Sequence, residues 1–227
     1  MTIEKTCRRG LVLCGLLTLV SVGCSQLSGP AFLDSAHAPK GAGWRPLFNG
    51  EDLTGWQPRT TDRPLSWTVV DGVMVNTSSH EQQGIDIVSD EKFCDFEIYY
   101  EYNVPPVGNS GVYLRGRIEI QICDNEGHPK YTEVMRNGAL YSLIPPSKQV
   151  SRPAGEWQSV YAKIVGQKVT VVLNGEKVID GFEVTRATGA ELDRNMGAPG
   201  PIMLQGNHSS IEFRNLYVRP LKCRVSK

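Results

Sequence analysis

Apolar and polar residues alternate most strictly between Asn109 and Cys123. Successive side chains of a β-strand point to opposite faces of the sheet, so this alternation predicts strands with one apolar face. The apolar positions, which we expect to fill a core, are Val112, Leu114, Ile118, Ile120 and Ile122. The positions expected on the opposite face are Tyr113, Arg115, Arg117, Glu119, Gln121 and Cys123. We therefore predict two strands joined near Gly116, with hydrogen-bonding side chains along their outer face.

Short segments of the same kind recur along the chain between turn residues. Asp71-Gly72 and Asn174-Gly175 separate such segments at hairpin spacing, and Asn-Gly is typical of a type I′ turn. No long window has the 3.6-residue period of a helix, although residues 183–195 have room for one helical turn. The predicted strands are 67–70, 73–76, 85–88, 96–103, 112–114, 117–122, 159–165, 168–173, 176–179, 201–205 and 211–219.

Many short strands without intervening helices predict an all-β protein. The folded part of the chain exceeds the roughly 100 residues of a minimal immunoglobulin sandwich. The sequence has no internal repeat with a period of about 20 to 50 residues, which disfavours a propeller or solenoid. We therefore predict a jelly-roll sandwich of two curved antiparallel sheets, one of which presents a concave face.

The N-terminus has the composition of an export signal. Lys5, Arg8 and Arg9 precede an apolar segment, residues 11–22, that is too short for a transmembrane helix. Ser21-Val-Gly-Cys24 resembles the lipobox of bacterial lipoproteins, in which the cysteine is acylated. That motif prefers Leu at the place occupied here by Ser21, so ordinary cleaved secretion is the alternative.

These features divide the chain into four predicted parts. We expect a lipoprotein-type signal peptide over residues 1–23, then a flexible tether over 24–43 that begins at the lipidated Cys24. The folded domain is predicted over 44–220, with a tail over 221–227. The expected location is a membrane, through the lipid anchor, facing the periplasm or the cell surface. A soluble periplasmic or secreted protein is the alternative.

Charge and cysteine content narrow the classes of partner. The chain has 24 basic and 24 acidic residues and no basic stripe, so nucleic-acid binding has no electrostatic support. The sequence has no Cys/His cluster of the kind that forms a structural zinc site. It also lacks the Gly-x-Ser-x-Gly elbow of a serine hydrolase and the phosphate loop of a nucleotide-binding protein. In an exported protein one disulfide can form among Cys94, Cys123 and Cys223, but the sequence does not select the pair.

Seven groups of motifs occur in the order found in one known domain family. They are Pro46-Leu-Phe-Asn-Gly-Glu-Asp-Leu-Thr-Gly-Trp56, Trp67 with Asp71-Gly-Val73, Asp95-Phe-Glu97 with Glu101-Tyr102, Asn109-Ser-Gly111 to Gln121, Gly155-Glu-Trp157 with Leu173-Asn-Gly175, Gly200-Pro-Ile-Met-Leu-Gln205, and Ile211-Glu-Phe-Arg-Asn215. Through these motifs, residues 44–220 resemble the 3-keto-disaccharide hydrolase domain family. The resemblance implies a concanavalin A-like lectin/glucanase sandwich.

The resemblance also implies an oxidised oligosaccharide or glycoside as substrate, with a ketone at C3 of the sugar. A ketone acidifies the proton on C2, so a base can form an enolate there. The C1 substituent then leaves by elimination, and water adds back to complete a net hydrolysis. Such a reaction needs a base near C2, a donor to the enolate oxygen and an acid near the glycosidic oxygen.

The polar face of the alternating segments supplies candidate catalytic groups. Glu119 is the predicted acid or base, and Arg115, whose charge is permanent, is the predicted oxyanion donor. His208 is predicted to transfer protons near neutral pH. We expect Glu119 and Arg115 to open into one sugar-sized hollow. The residues predicted to bind the substrate are Asn109, Arg117, Gln121, Lys163 and Gln205.

Other classes of function remain open on the sequence alone. An ordinary glycosidase needs two carboxylates about 5 to 10 Å apart, but the neighbour of Glu119 on its strand face is Gln121, which cannot ionise. A lectin-like carbohydrate-binding module and an envelope scaffold are the alternatives, and ionisable groups on the concave face favour the enzyme. The sequence requires no cofactor. Residues 124–126 offer oxygen ligands for calcium, although a solvated turn is favoured.

Overall fold

The computed structural model describes residues 39, 41–79 and 81–223. These residues confirm the predicted all-β class, since the one helical element is a 3₁₀ turn, Glu133–Met135. The strands are β1 (Arg45–Pro46), β2 (Trp56–Pro58), β3 (Trp67–Val70), β4 (Val73–Asn76), β5 (Ile87–Phe93), β6 (Phe96–Asn103), β7 (Asn109–Leu114), β8 (Ile118–Cys123), β9 (Gln158–Val165), β10 (Lys168–Leu173), β11 (Glu176–Glu183), β12 (Gly200–Leu204) and β13 (Ile211–Pro220).

The strands form two antiparallel sheets that enclose one core. The eight-stranded sheet has the order β11-β10-β9-β6-β13-β4-β3, with β1 paired to β13. The five-stranded sheet has the order β2-β5-β12-β7-β8. Large buried side chains contributed by both sheets include Ile98, Tyr100, Phe213, Ile120 and Leu204. The predicted two-sheet sandwich is therefore confirmed.

The alternation between Asn109 and Cys123 produces the hairpin of β7 and β8. Tyr113 pairs with Glu119, and Gly111 pairs with Gln121. Ile118, Ile120 and Ile122 belong to the core, so the intervening side chains of β8 face away from it. This arrangement puts Glu119 and Gln121 on the outer face of the five-stranded sheet.

Two predicted hairpin turns have the backbone that their sequences favour. Asp71 and Gly72 have φ angles of 49° and 78°, and Asn174 and Gly175 have φ angles of 51° and 84°. Positive φ at both central residues is the requirement of a type I′ turn, which Asn-Gly and Asp-Gly satisfy with little strain. These turns join β3 to β4 and β10 to β11.

Other details differ from the sequence predictions. The strand predicted at 85–88 runs from Ile87 to Phe93, and β1 and β2 were too short to have a pattern. Residues 183–195, which have room for one helical turn, contain none: β11 continues to Glu183, and the following residues bond to the β7–β8 turn. Cys94 pairs with Cys223, which leaves Cys123 as a free, buried thiol.

The predictions for the signal peptide, for the lipidated Cys24 and for most of the tether and tail lie outside the described residues. Within the described part of the chain, no helix has the length and hydropathy that crossing a membrane would require.

Candidate active site

Two irregular segments complete the free edge of β8. Because β8 ends the five-stranded sheet, its outward N–H and C=O groups need partners beyond the sheet. Gln121 N donates to Ala139 O at 2.9 Å, and Tyr141 N donates to Glu119 O at 3.1 Å. Further along the edge, Glu119 N donates to the hydroxyl of Thr188 at 2.9 Å. These bonds hold residues 138–144 and the chain around Thr188 beside the polar face.

A cavity of about 270 Å³, hereafter the catalytic cavity, lies between these segments and the sheet. Strands β7 and β8 contribute Asn109, Tyr113, Glu119 and Gln121 to its lining. The chain after β12 contributes Gln205 and His208, the covering segments contribute Tyr141, Gly189 and Ala190, and the loop after β8 contributes Tyr131. The cavity thus brings together the predicted residues Glu119, His208, Asn109, Gln121 and Gln205.

Glu119 is almost fully buried in this cavity, with 4 % of its surface exposed. Burial raises the pKa of its carboxyl group to about 8; a hydrogen bond from Tyr113 acts in the opposite direction, and the charge of Asp86 adds to the rise. The carboxyl lies over the backbone of Gly111, where an added Cβ would come within 2.4 Å of Glu119 Oε1. Glycine at this position therefore makes room for the carboxyl group.

Amide and hydroxyl groups around Glu119 form a connected network. Gln205 Nε2 donates to the Tyr113 hydroxyl at 3.2 Å, while Gln205 Oε1 is buried without a hydrogen-bond partner among the described residues. Asn109 Nδ2 donates to the Tyr131 hydroxyl at 3.1 Å, and Asn109 Oδ1 accepts from Gln121 at 3.3 Å. An acceptor left open in a cavity is suited to a hydroxyl group of a bound sugar.

His208 lines the cavity and is an exposed residue. Partial burial lowers the pKa of its imidazole, and the nearby Asp86 carboxylate acts in the opposite direction. Asp86 is itself buried and held in place: Oδ2 pairs with Arg59 at 3.1 Å, and Oδ1 accepts from Gly206 N at 3.0 Å. The cavity therefore contains a carboxyl and an imidazole whose pKa values are shifted in opposite directions.

Comparison with known proteins identifies the family to which this fold and cavity belong. A match to the family described as 3-keto-alpha-glucoside-1,2-lyase-like domain covers residues 43–219. The chain belongs to this family. A Bacteroides thetaiotaomicron protein named 3-keto-disaccharide hydrolase is 31% identical in an alignment that covers 89% of this chain and 87% of the relative. The chain is therefore related along nearly its whole length to a 3-keto-disaccharide hydrolase.

Solved structures agree with this family assignment. A Parabacteroides distasonis protein described as a proposed glycosyl hydrolase has a TM-score of 0.68 at 25% identity, covering 79% of this chain and 94% of that chain. A second such protein from the same organism has a TM-score of 0.65 at 27% identity, with coverages of 79% and 84%. These likenesses support the predicted jelly-roll class.

The prediction that Arg115 shares a hollow with Glu119 is wrong. Arg115 lies in the β7–β8 turn with a φ of 54°, and this turn ends the alternation of side chains along the two strands. Its guanidinium pairs with Asp95 at 3.0 Å and donates to Cys94 O at 2.6 Å. Arg115 therefore connects two turns of the sandwich and does not line the catalytic cavity.

Arg117 and Lys163 are also absent from the cavity lining. Arg117 lies at the start of the polar face of β8, but Asp193 covers it with an ion pair of 2.6 Å. Lys163 belongs to β9 in the eight-stranded sheet, where its ammonium is 3.9 Å from Glu97. Alternation assigns a face within a sheet but does not assign a strand to one of two sheets, which explains the error at Lys163.

Several residues that complete the cavity were not predicted from the sequence. Tyr113 was on the alternating face and could have been chosen, whereas Tyr131 and Tyr141 lie in segments without a periodic pattern. Asp86, which lies outside the cavity lining but whose charge acts on Glu119 and His208, precedes β5, and no sequence pattern marked it.

No group of three or more His, Cys, Asp or Glu residues among those described is arranged to hold a metal ion. Residues 124–126 were the possible calcium ligands in the sequence. The carboxylate of Asp124 accepts hydrogen bonds from Val107 N at 2.9 Å and Glu126 N at 3.1 Å. Asp124 thus has a structural role in a turn.

Proposed function

We propose that this protein hydrolyses the glycosidic bond of 3-keto glycosides by C2 proton removal, elimination of the C1 substituent and addition of water. The observation that carries this proposal is the pair formed by Glu119 and His208 on one cavity, with oppositely shifted pKa values. The family description, which names a 3-keto-glucoside 1,2-lyase, and the related 3-keto-disaccharide hydrolase support it.

The pKa shifts assign a role to each group at neutral pH. A pKa of about 8 keeps most of the Glu119 carboxyl protonated, so Glu119 is the general acid. A pKa below the usual value keeps His208 neutral, so its free imidazole nitrogen is the general base. His208 takes the C2 proton, and the electron pair of that C–H bond passes into the C3 carbonyl to form an enolate.

The enolate then drives out the leaving group. The C3 carbonyl re-forms, and the electron pair of the C2=C3 bond moves to make a C1=C2 double bond. The C1–O bond breaks at the same time, and Glu119 gives its proton to the departing oxygen. Water next adds across the double bond: its hydroxyl bonds to C1, the Glu119 carboxylate takes its second proton, and protonated His208 returns a proton to C2. The products are a 3-keto sugar and an alcohol, and both side chains recover their initial states.

The remaining cavity groups are suited to hold the sugar. Gln205 Oε1 has no protein partner and can accept a hydrogen bond from a sugar hydroxyl. The Tyr131 hydroxyl accepts from Asn109, so its own proton is available to an enolate oxygen. In this proposal Tyr131 takes the role that the sequence had assigned to Arg115.

The number of carboxyl groups in the catalytic cavity disfavours the usual two-carboxylate glycosidase mechanism. Glu119 is the one carboxylic acid among the described residues that line the catalytic cavity. Asp86 is nearby, but Arg59 and the Gly206 N–H already occupy its oxygens. A retaining or inverting glycosidase needs two carboxyl groups that can both reach the scissile bond. Activation by a substrate ketone removes that need.

The proposed function is tested by incubating the protein with a 3-keto disaccharide and with its unoxidised parent. We expect the wild type to release sugar from the 3-keto form only, and Glu119→Gln to lower kcat by about 10²- to 10⁴-fold. Glu126→Gln, an exposed carboxyl-to-amide change outside the cavity, is the matched control and should keep full activity. Equal cleavage of both substrates, or full turnover by folded Glu119→Gln, would contradict the proposal.

A further inference from the structure

A second cavity of about 220 Å³ lies beside the catalytic cavity. One chain neighbour and one hydrogen bond place the two cavities side by side. Asn207 lines the second cavity, and its neighbour in the chain, His208, lines the catalytic one. Arg59 lines the second cavity and donates to the carbonyl oxygen of Ala190, a catalytic-cavity residue, at 2.8 Å. A ligand that occupies both cavities would pass close to His208.

Asp86 locates the second cavity relative to the reacting groups. Its buried carboxylate lines the second cavity. The same carboxylate is close enough to Glu119 and His208 for its charge to act on both of them. The second cavity therefore lies beside the acid and the base, where the two halves of a cleaved glycoside must separate.

Building on the function proposed above, we propose that the second cavity binds the leaving group and that this group is a second, uncharged sugar. A glycoside-cleaving site needs one subsite for the reacting 3-keto ring and another for the group attached at C1. The catalytic cavity provides the first subsite. The second cavity provides the other, so the protein favours 3-keto disaccharides over 3-keto glycosides with a small alkyl group.

The lining of the second cavity indicates the chemistry of its ligand. Its side chains include the cations Arg59 and Arg63 and the anions Asp62 and Asp86, so the formal charges cancel. Ile85 is its one apolar side chain among the described lining residues. Hydroxyl groups both donate and accept hydrogen bonds, and a sugar can therefore satisfy such a surface, whereas an aromatic or alkyl group cannot.

Two groups in this cavity have unused hydrogen-bonding capacity. Asn207 Oδ1 is buried without a hydrogen-bond partner among the described residues. The guanidinium of Arg63 has long contacts only, with Gly84 O at 3.5 Å and Asp62 at 4.0 Å. Arg59, in contrast, already binds Asp86, Ala190 O and Glu191 O. Arg63 and Asn207 are thus the side chains with which a leaving sugar can bond without breaking internal contacts.

A third cavity of about 380 Å³, near Cys123, is the competing location for a second sugar. Arg152 lines it and is exposed. An Arg152→Ala variant therefore makes the same chemical change as Arg63→Ala in a different cavity, although it also removes the hydrogen bond from Arg152 to Trp157 O at 2.8 Å.

The test compares kcat/KM for two substrates, a 3-keto disaccharide and the corresponding methyl 3-keto-glucoside. In Arg63→Ala we expect kcat/KM for the disaccharide to fall about 10-fold more than that for the methyl glycoside. In Asn207→Ala the same ratio should change by about 3- to 10-fold. Arg152→Ala should leave the ratio at the wild-type value. Circular dichroism of each variant verifies that it is folded.

The outcomes separate this subsite from the proposed function. Turnover of the methyl 3-keto-glucoside by the wild type supports the function, whatever the variants do. Equal losses on both substrates in Arg63→Ala and Asn207→Ala, or no loss in either, would overturn the subsite alone. A selective loss confined to Arg152→Ala would also overturn it and would move the leaving sugar to the third cavity. Wild-type inactivity on both substrates would overturn the function and, with it, the subsite.

Discussion

At the scale of single residues, environment decides which polar side chains can take part in chemistry. Glu119 and Arg117 occupy the same face of one hairpin, yet Arg117 is paired with Asp193 and Glu119 is buried in a cavity. Strand alternation predicted the face of Glu119 and Gln121 correctly. It failed at Arg115, because alternation ends where a turn residue takes a positive φ.

The pH dependence of kcat/KM follows from the two shifted groups. Activity requires Glu119 protonated, so it should fall about tenfold per pH unit above a pKa near 8. It also requires His208 neutral, so it should fall on the acid side below a pKa that is lower than the ordinary 6.5 of histidine. Initial rates corrected for spontaneous decay of the substrate provide the measurement.

The variants identify the groups behind each limb of this profile. Residual activity of Glu119→Gln should lack the alkaline limb and keep the acid limb, since His208 is unchanged. An alkaline limb of unchanged position in that variant, or wild-type activity that stays constant up to pH 10, would contradict the assignment of Glu119 as the acid.

At the scale of elements, the site depends on how strands pair and what covers them. Asp71-Gly72 and Asn174-Gly175 predicted two hairpins because turn chemistry is local. The segments that cover β8 were not predictable in this way, since they are irregular and are fixed by bonds such as Thr188 N to Arg117 O at 3.1 Å. The assignment of Lys163 failed for a related reason: sheet membership is set by long-range pairing.

The lack of a side chain at Gly111 should be needed for the correct position of the Glu119 carboxyl group. In Gly111→Ala the new Cβ would meet the end of the Glu119 side chain at 2.4 Å, so the carboxyl must move. The backbone of Gly111 is outside the left-handed region, and the variant should fold. We expect kcat to fall about 100-fold through misplacement of the acid. Thermal unfolding and steady-state rates on a 3-keto glycoside provide the measurement.

Gly197→Ala is the control for this variant, because an added Cβ there has no heavy atom within 4 Å. It should have wild-type activity and stability. Wild-type activity of Gly111→Ala would show that the position of the Glu119 carboxyl is not critical.

At the scale of the whole molecule, the sequence predicted a two-sheet sandwich because its alternating segments and turn residues leave few other architectures. It did not select the disulfide, since pairing depends on which turns meet in space. Cys94 follows β5, and Cys223 lies beyond β13, at a separation of 129 residues. Cys94 O also accepts a hydrogen bond from Arg115, so the disulfide is next to the β7–β8 turn.

This disulfide should contribute to global stability through the long loop that it closes. A double variant, Cys94→Ala with Cys223→Ala, should lower the free energy of unfolding by about 2–5 kcal/mol, because the cross-link restricts the unfolded chain. Urea unfolding monitored by fluorescence provides the measurement. Dithiothreitol should destabilise the wild type to a similar extent and should not affect the double variant, in which the buried Cys123 has no partner among the described residues. Identical midpoints for oxidised and reduced wild type would contradict this prediction.

The most direct test of the central claim is hydrolysis of a 3-keto disaccharide in D₂O, with early product analysed by mass spectrometry and NMR. Elimination followed by addition predicts one deuterium at C2 of the released 3-keto sugar, since His208 exchanges its proton with solvent between the two steps. Preformed product incubated with Glu119→Gln measures the background exchange. Rapid cleavage that leaves the original hydrogen at C2, with no deuterium above this background, would contradict the account.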